Sequence, residues 1–170
     1  EGAAELSSLY GSEGYGAGDP VPEEGPHAFR VTCLDQRTGE VLWERTAREG
    51  VPIIERHPKA THANSTPAVD ATRVVAFFGS EGLYCYDHDG ELLWSRDLGP
   101  LNAGAPGYKG RLPWGFGSSP TLHGERVYVQ CDFEGDSFLA ALSADDGSDV
   151  WRVRRQEHST WCTPTVHAPD

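Results

Sequence analysis

Short apolar runs alternate with acidic, glycine-closed turns along this chain, and no stretch shows the 3.6-residue apolar period of an amphipathic helix. Three segments share one grammar: Cys33-Leu-Asp-Gln-Arg-Thr-Gly39-Glu-Val-Leu-Trp43, Cys85-Tyr-Asp-His-Asp-Gly90-Glu-Leu-Leu-Trp94 and Ala141-Leu-Ser-Ala-Asp-Asp-Gly147-Ser-Asp-Val-Trp151. Each reads as a strand, a turn whose glycine supplies positive φ, and a second strand with Trp four residues after that glycine. The tryptophans lie 51 and 57 residues apart. A second signal follows each copy: Ser65-Thr66-Pro67-Ala68-Val69, Ser118-Ser119-Pro120-Thr121-Leu122 and Cys162-Thr163-Pro164-Thr165-Val166. Self-similarity at such a period marks a repeat architecture.

One unit starts at Ser65. Its pattern predicts strands at 66–69, 73–78, 83–86 and 91–96, with Pro67 at a strand start where no ladder donor is needed. The next unit predicts strands at 119–122, 126–131, 138–142 and 149–153. Four short antiparallel strands per repeat make a β-propeller blade, so the fold class is all-β. The blade parts are 29–49, 65–99, 118–155 and 162–170, and residues 1–28 read as a flexible or irregular segment. A closed ring takes about 4–8 blades. About three are covered here, so the ring is incomplete. A chain that opens and closes in mid-blade is expected to be an internal stretch of a longer protein, whose remaining blades are its first partners.

The balance of 14 Lys and Arg against 26 Asp and Glu, a net charge of −12, opposes affinity for nucleic acid or anionic lipid. No apolar run approaches the length of a membrane span, so membrane insertion is not expected. Cys33 and Cys85 fill the slot that Ala141 fills in the third copy, and read as small packing residues on successive blades, too far apart to bridge. A Cys131–Cys162 disulfide is sterically open. The absence of Cys-x-x-Cys leaves zinc and thioredoxin-like readings weak.

Candidate chemistry has to be weighed against packing. Trp43, Trp94 and Trp151 suggest a stacking platform, but one per repeat argues for inter-blade docking, with each indole N–H donating to a neighbouring carbonyl. Gly39, Gly90 and Gly147 belong to the same structural device. The carboxylates of Asp87-His-Asp-Gly90 and Asp145-Asp-Gly147 fall short of a calcium loop and read as turn caps. His57 and His62, five apart in an irregular connection, read as loop ties, as part of a binding surface, or as a metal pair. The next connection, 102–118, is long and holds Tyr108, Lys109, Arg111, Trp114 and Phe116 among glycines; Trp114 and Phe116 either plug the blade below or form recognition anchors. If the channel mouth binds a partner, the residues expected to do so are His62, Asn64, Arg111, Trp114 and Trp161. No catalytic set and no metal-ligand motif is present.

The three acidic-turn segments resemble the tryptophan-docking repeat of pyrroloquinoline-quinone-type (PQQ-like) β-propellers, roughly Ala-x-Asp-x-x-Thr-Gly-x-x-x-Trp. Asp35, Thr38, Gly39 and Trp43 match it best; the second copy is one residue short, and the third has Ser143 at the Asp slot. The resemblance covers about residues 29–166. His62-Ala-Asn-Ser-Thr-Pro, the run Phe77 to Tyr86 and Trp114-Gly-Phe-Gly-Ser-Ser-Pro120 are similar to a secreted bacterial subgroup named by likeness to BamB-type proteins. The resemblance implies an exported, periplasmic or extracellular, non-catalytic scaffold for an envelope or secreted protein partner, with no cofactor. It also allows a PQQ- and calcium-dependent alcohol or sugar dehydrogenase, or a carbohydrate-binding propeller using Trp114 and Trp161. Fold alone does not choose among these.

Overall fold

A computed structural model describes residues 25–57, 60–103, 106–107, 110–111 and 114–168. The repeat becomes three sheet units. The first is the hairpin β1 (His27–Leu34) and β2 (Val41–Gly50). The second is an antiparallel meander of β3 (Ala68–Val69), β4 (Val74–Phe77), β5 (Leu83–Tyr86) and β6 (Leu92–Arg96). A two-residue pair, β7 (Pro106–Gly107) and β8 (Gly110–Arg111), sits in the long connection expected to be a loop. The third unit is the meander β9 (Thr121–His123), β10 (Arg126–Cys131), β11 (Phe138–Ser143) and β12 (Asp149–Arg154). Two four-stranded antiparallel blades and a two-stranded part of another form an unclosed propeller. The irregular segment expected at 1–28 falls mostly outside the described residues.

Burial explains why the middle blade reads differently from its neighbours. Along β4 and β5, Val75, Phe77, Leu83 and Cys85 join a core shared with Val127, Val129, Phe138 and Leu142 of the third blade. The alternate residues Ala76, Phe78 and Tyr86 join Phe29 and Val31 of the first. Side chains alternate across a strand, so a blade buried on both faces needs a continuous apolar run, and Val74-Val-Ala-Phe-Phe78 supplies it. The third blade instead alternates buried Val127, Val129 and Cys131 with half-buried Tyr128 and Gln130.

The tryptophans dock one blade forward. Trp43 Nε1 donates to His88 O at 2.8 Å, and Trp94 Nε1 to Ala144 O at 2.9 Å. Each ring lies on a turn glycine. A Cβ at Gly90 would stand 2.8 Å from Trp43 Cδ2, and one at Gly147 would stand 2.6 Å from Trp94 Cε3. Both glycines also hold positive φ, +81° and +71°, so hydrogen is required there twice over. Gly39 has no such neighbour within 4 Å. Trp151 lies half-buried beside Tyr128 of its own blade, ring centroids 6.1 Å apart.

A second clamp went unread in the sequence. Arg45 Nε donates to Gly90 O and Arg96 Nη1 to Gly147 O, each at 2.8 Å. The pattern is Trp-x-Arg, present at Trp43 and Trp94 but ending in the exposed Val153 after Trp151. The small slot facing each tryptophan is explained by register: Cys33 pairs with Trp43, Cys85 with Trp94 and Ala141 with Trp151, and each pair is followed by a bulge. The acidic turns are capped as expected. Asp35 Oδ1 accepts Thr38 N at 2.9 Å and Arg37 N at 2.8 Å, which holds its carboxyl below the usual range. Asp87 Oδ1 accepts Asp89 N and Glu91 N.

One expectation is corrected, and one open possibility is closed. Residues 162–166 form no strand, since no second strand stands beside them among the described residues. They are stitched instead to the start of the third blade: Ser118 Oγ donates to Cys162 O, and Thr121 Oγ1 to Pro164 O at 2.6 Å. The Cys131–Cys162 disulfide is not formed, because Cys131 faces the inter-blade core while Cys162 is exposed. Burial pushes the Cys85 thiol up to about 11 and raises that of Cys131 too.

Replacing Gly147 with Ala should therefore cost about 2–4 kcal/mol in urea unfolding, from left-handed strain plus the clash with Trp94. The same change at Gly124, where φ is +58° but nothing lies within 4 Å, should cost about 1 kcal/mol; equal losses would contradict the docking. At pH 8 a disulfide-exchange reagent should label Cys162 quickly and reach Cys85 and Cys131 only on unfolding. All four cysteines should titrate in denaturant without reductant; only two would mean that a bridge exists.

Candidate functional site

The meander fixes which loops share a face. β2, β6 and β12 end where β3 and β9 begin, and the β4–β5 and β10–β11 turns close at the same end. The blade connections and these two turns therefore form one loop face, and His62, Asn64, Trp114 and Trp161 all lie on it.

Three of these residues come together. The Trp114 and Trp161 rings have centroids 5.6 Å apart at 50°. Trp161 Nε1 donates to Gly115 O at 3.3 Å, while the residue stays 40% exposed. A Cβ at Gly117 would lie 3.1 Å from Trp161 Cδ1 and 3.6 Å from Asn64 Cβ, so this glycine lets Trp161 and Asn64 close around the 115–117 backbone. Asn64 is a loop tie: Nδ2 donates to Thr61 O at 2.6 Å and Phe116 O at 3.4 Å, and Oδ1 accepts Thr61 N. Beneath them Phe116 is buried edge-on to Phe77, centroids 4.9 Å apart, and plugs the blade below. Trp114 is only half-buried.

His62 stands apart from that pair, between His27 and Phe29, with ring centroids at 5.7 and 6.1 Å. Arg111 belongs to β8 by its backbone, and its side chain lies outside what is described, as do Tyr108 and Lys109. The blade starts are stitched together around the inner edge: Ser65 Oγ donates to Ser118 O at 2.8 Å, Thr66 N to Ser119 Oγ at 2.9 Å, and Ser119 N to Thr163 Oγ1 at 3.3 Å. This accounts for the Ser/Thr residues flanking each proline.

Two buried carboxylates on this face were missed. Glu81, 4% exposed, pairs with Arg48 of the first blade and accepts Ile53 N at 2.6 Å. Asp132, 1% exposed, accepts Arg155 Nε at 2.8 Å, Gln130 Nε2 at 2.7 Å and Thr160 Oγ1 at 2.9 Å. Their arginines follow the apolar part of an outermost strand; that placement, beside an acid just past β4 or β10, was the available signal. Both acids are tied to loop-forming groups and order the connections, and removing either arginine would strand a buried charge.

A calcium ion with its quinone needs carboxylate and amide ligands converging at one point. Among the described residues, no group of three or more His, Cys, Asp or Glu comes together, and His57 with His62 completes none. Among the described residues, no helix is long and apolar enough to cross a membrane.

No curated protein sequence matches the chain. Solved structures do match it. BamB from Moraxella catarrhalis aligns over 76% of this chain and 32% of its own at 16% identity, with a TM-score of 0.49. A europium-containing methanol dehydrogenase aligns over 76% of this chain and 22% of its own at 16% identity, TM-score 0.50. Quinohemoprotein alcohol dehydrogenase ADHIIG from Pseudomonas putida HK5 aligns over 79% and 19% at 18% identity, TM-score 0.50. The chain spans about a third or less of each, and at these identities the likeness is one of fold. Residues 27–169 match the family described as outer membrane protein assembly factor BamB, and the chain belongs to that family of PQQ-like β-propeller repeat proteins.

Proposed function

We propose that this propeller acts without catalysis of its own, as a recognition scaffold that binds an envelope or secreted protein partner through its loop face. The observation that carries the reading is the Trp114–Trp161 pair. It offers an exposed aromatic surface on a rigid seat, while the buried acids of that face, Glu81 and Asp132, are engaged by arginines. Aromatic anchors held in place lose little side-chain entropy on binding and are enriched among binding hot spots. The family's description as an outer membrane assembly factor supports a partner-binding role and an exported location, periplasmic or extracellular. The net charge of −12 favours a protein partner over nucleic acid.

A second reading is favoured by the fold shared with the methanol and alcohol dehydrogenases. Under it the chain is part of a PQQ- and calcium-dependent dehydrogenase whose metal ligands lie beyond the described residues.

Crosslinked capture from an envelope fraction, run beside a PQQ and calcium titration with dye-linked oxidation of alcohols and sugars, separates the two. The scaffold reading expects a partner to be captured, no turnover, and capture weakened about 30-fold by the W114A/W161A double variant, the loss of a ~2 kcal/mol anchor. Stoichiometric PQQ binding with turnover would replace it by the dehydrogenase reading.

A further inference from the structure

We infer that two copies of this chain join head to tail through the same contact that joins its blades, with Trp151 of one copy laid across Gly39 of the other. The contact lies on the turn side of the blades, away from the tryptophan pair, and does not depend on the reading of the loop face.

Inside the chain the contact is a knob and a seat. The knob is the tryptophan of an outermost strand. The seat is the acidic turn of the next blade: its glycine, a carbonyl ahead of that glycine, and the residue after the small slot on the strand entering the turn. Trp43 sits on Gly90, His88 O and Tyr86, the Tyr86 ring centroid lying 6.2 Å from that of the indole. Trp94 sits on Gly147 and Ala144 O, and shares a core with Leu142. Two knobs fill two seats, and one of each is left over. Trp151 belongs to β12, and no further turn follows that strand among the described residues. The seat of the first hairpin is open. Gly90 and Gly147 are buried, whereas Gly39 is exposed. Leu34, the counterpart of Tyr86 (2% exposed) and Leu142 (0%), is 53% exposed.

The open seat already has the shape of a filled one. The first and third turns have equal length and the same backbone bonds: Asp35 N donates to Glu40 O and Gly39 N to Asp35 O, as Ser143 N does to Ser148 O and Gly147 N to Ser143 O. Gly39 holds φ +75°, against +71° at Gly147. Gln36 O therefore stands where Ala144 O stands, ready to accept the Trp151 indole N–H. Around the knob, Tyr128, Leu139 and Val153 share the Trp151 face of the third blade by register, and Val153 is 55% exposed. Because one chain carries both halves at opposite ends, its copies meet head to tail, and such a contact closes into a ring when the rotation allows. Two copies bring together about six blades, within the range of about 4–8 that closes, and three copies would exceed it. Val153 replaces the arginine that clamps the internal contacts, so this joint is weaker than they are. The net charge of −12 on each copy also opposes it, over a screening length of about 8 Å at physiological salt.

The test is sedimentation velocity of the full chain over a concentration series, with hydrogen exchange at the Trp151 indole followed by NMR on the same samples. The wild-type protein should form a dimer with a Kd in the micromolar range, tighter as salt rises because the copies repel. Trp151→Ala and Leu34→Asp should each weaken the dimer about 100-fold, since a two-copy ring loses both of its joints. Leu34 is exposed, so its variant keeps the fold, and thermal melts establish this for both. Exchange at the Trp151 indole should slow as wild-type concentration rises, and should not respond to concentration in Leu34→Asp. A monomer at every concentration, as when blades outside the described residues fill the seat, would overturn the inference. So would assemblies that grow past the dimer, wild-type association in both variants, or Trp151 exchange that ignores concentration. The W114A/W161A variant should dimerise as wild type does. Dimerisation without envelope-protein capture counts against the loop-face reading alone, and capture by a monomer counts against this inference alone.

Discussion

The structure depends on a tryptophan laid across a glycine of the next blade. The contact has three parts that have to coincide. The indole N–H needs a carbonyl, the ring needs a flat seat without a Cβ, and the turn that provides both needs a residue at positive φ. Gly90 and Gly147 meet the last two requirements at once, and His88 and Ala144 supply the carbonyls. Arginine two residues after each docked tryptophan adds a second anchor on the same turn. Each blade is thereby fixed at its outer edge, and the apolar layer behind it needs only to fill the wedge between sheets.

The same contact sets where function can reside. Docking occupies the turn side of the blades, and its side chains are committed to packing. The opposite side carries the long connections, whose backbone is satisfied by side chains and by stitches between successive blade starts. Buried Glu81 and Asp132 serve that purpose: each binds an arginine and at least one further donor, and so holds a connection in one conformation. A loop face ordered in this way can present exposed rings without losing much entropy when a partner arrives. The propeller family uses one frame for catalysis and for scaffolding. On this face of the described residues, Glu81 and Asp132 are held by arginines.

The fold was legible because a repeat gives several readings of the same element. Gly, Trp and the Ser/Thr-Pro start recur in register, and the predicted strands agree with the observed ones to within a residue or two. The Trp-x-Arg clamp was equally visible at Trp43 and Trp94, but the third copy breaks it at Val153. The site was less legible. Residues 114–117 and 161 are irregular backbone, so no period reports which side chains meet. Trp161 and Asn64 approach only because Gly117 lies between them. His62 was placed with the tryptophans by its position before the Ser/Thr-Pro start, yet β1 draws it to His27 and Phe29, because the first blade packs against that connection. The fourth-blade strand at 162–166 failed for a related reason: a strand is defined by its partner, and a matching sequence start does not bring one.

The docking geometry can be tested by hydrogen exchange at the five indole N–H groups, followed by NMR under native conditions. The account predicts strong protection of Trp94 and Trp43, whose protons are held between blades, and fast exchange at Trp161, which stays exposed on the loop face. If Trp43 and Trp94 exchanged as fast as Trp161, the blades would not be held together by this contact.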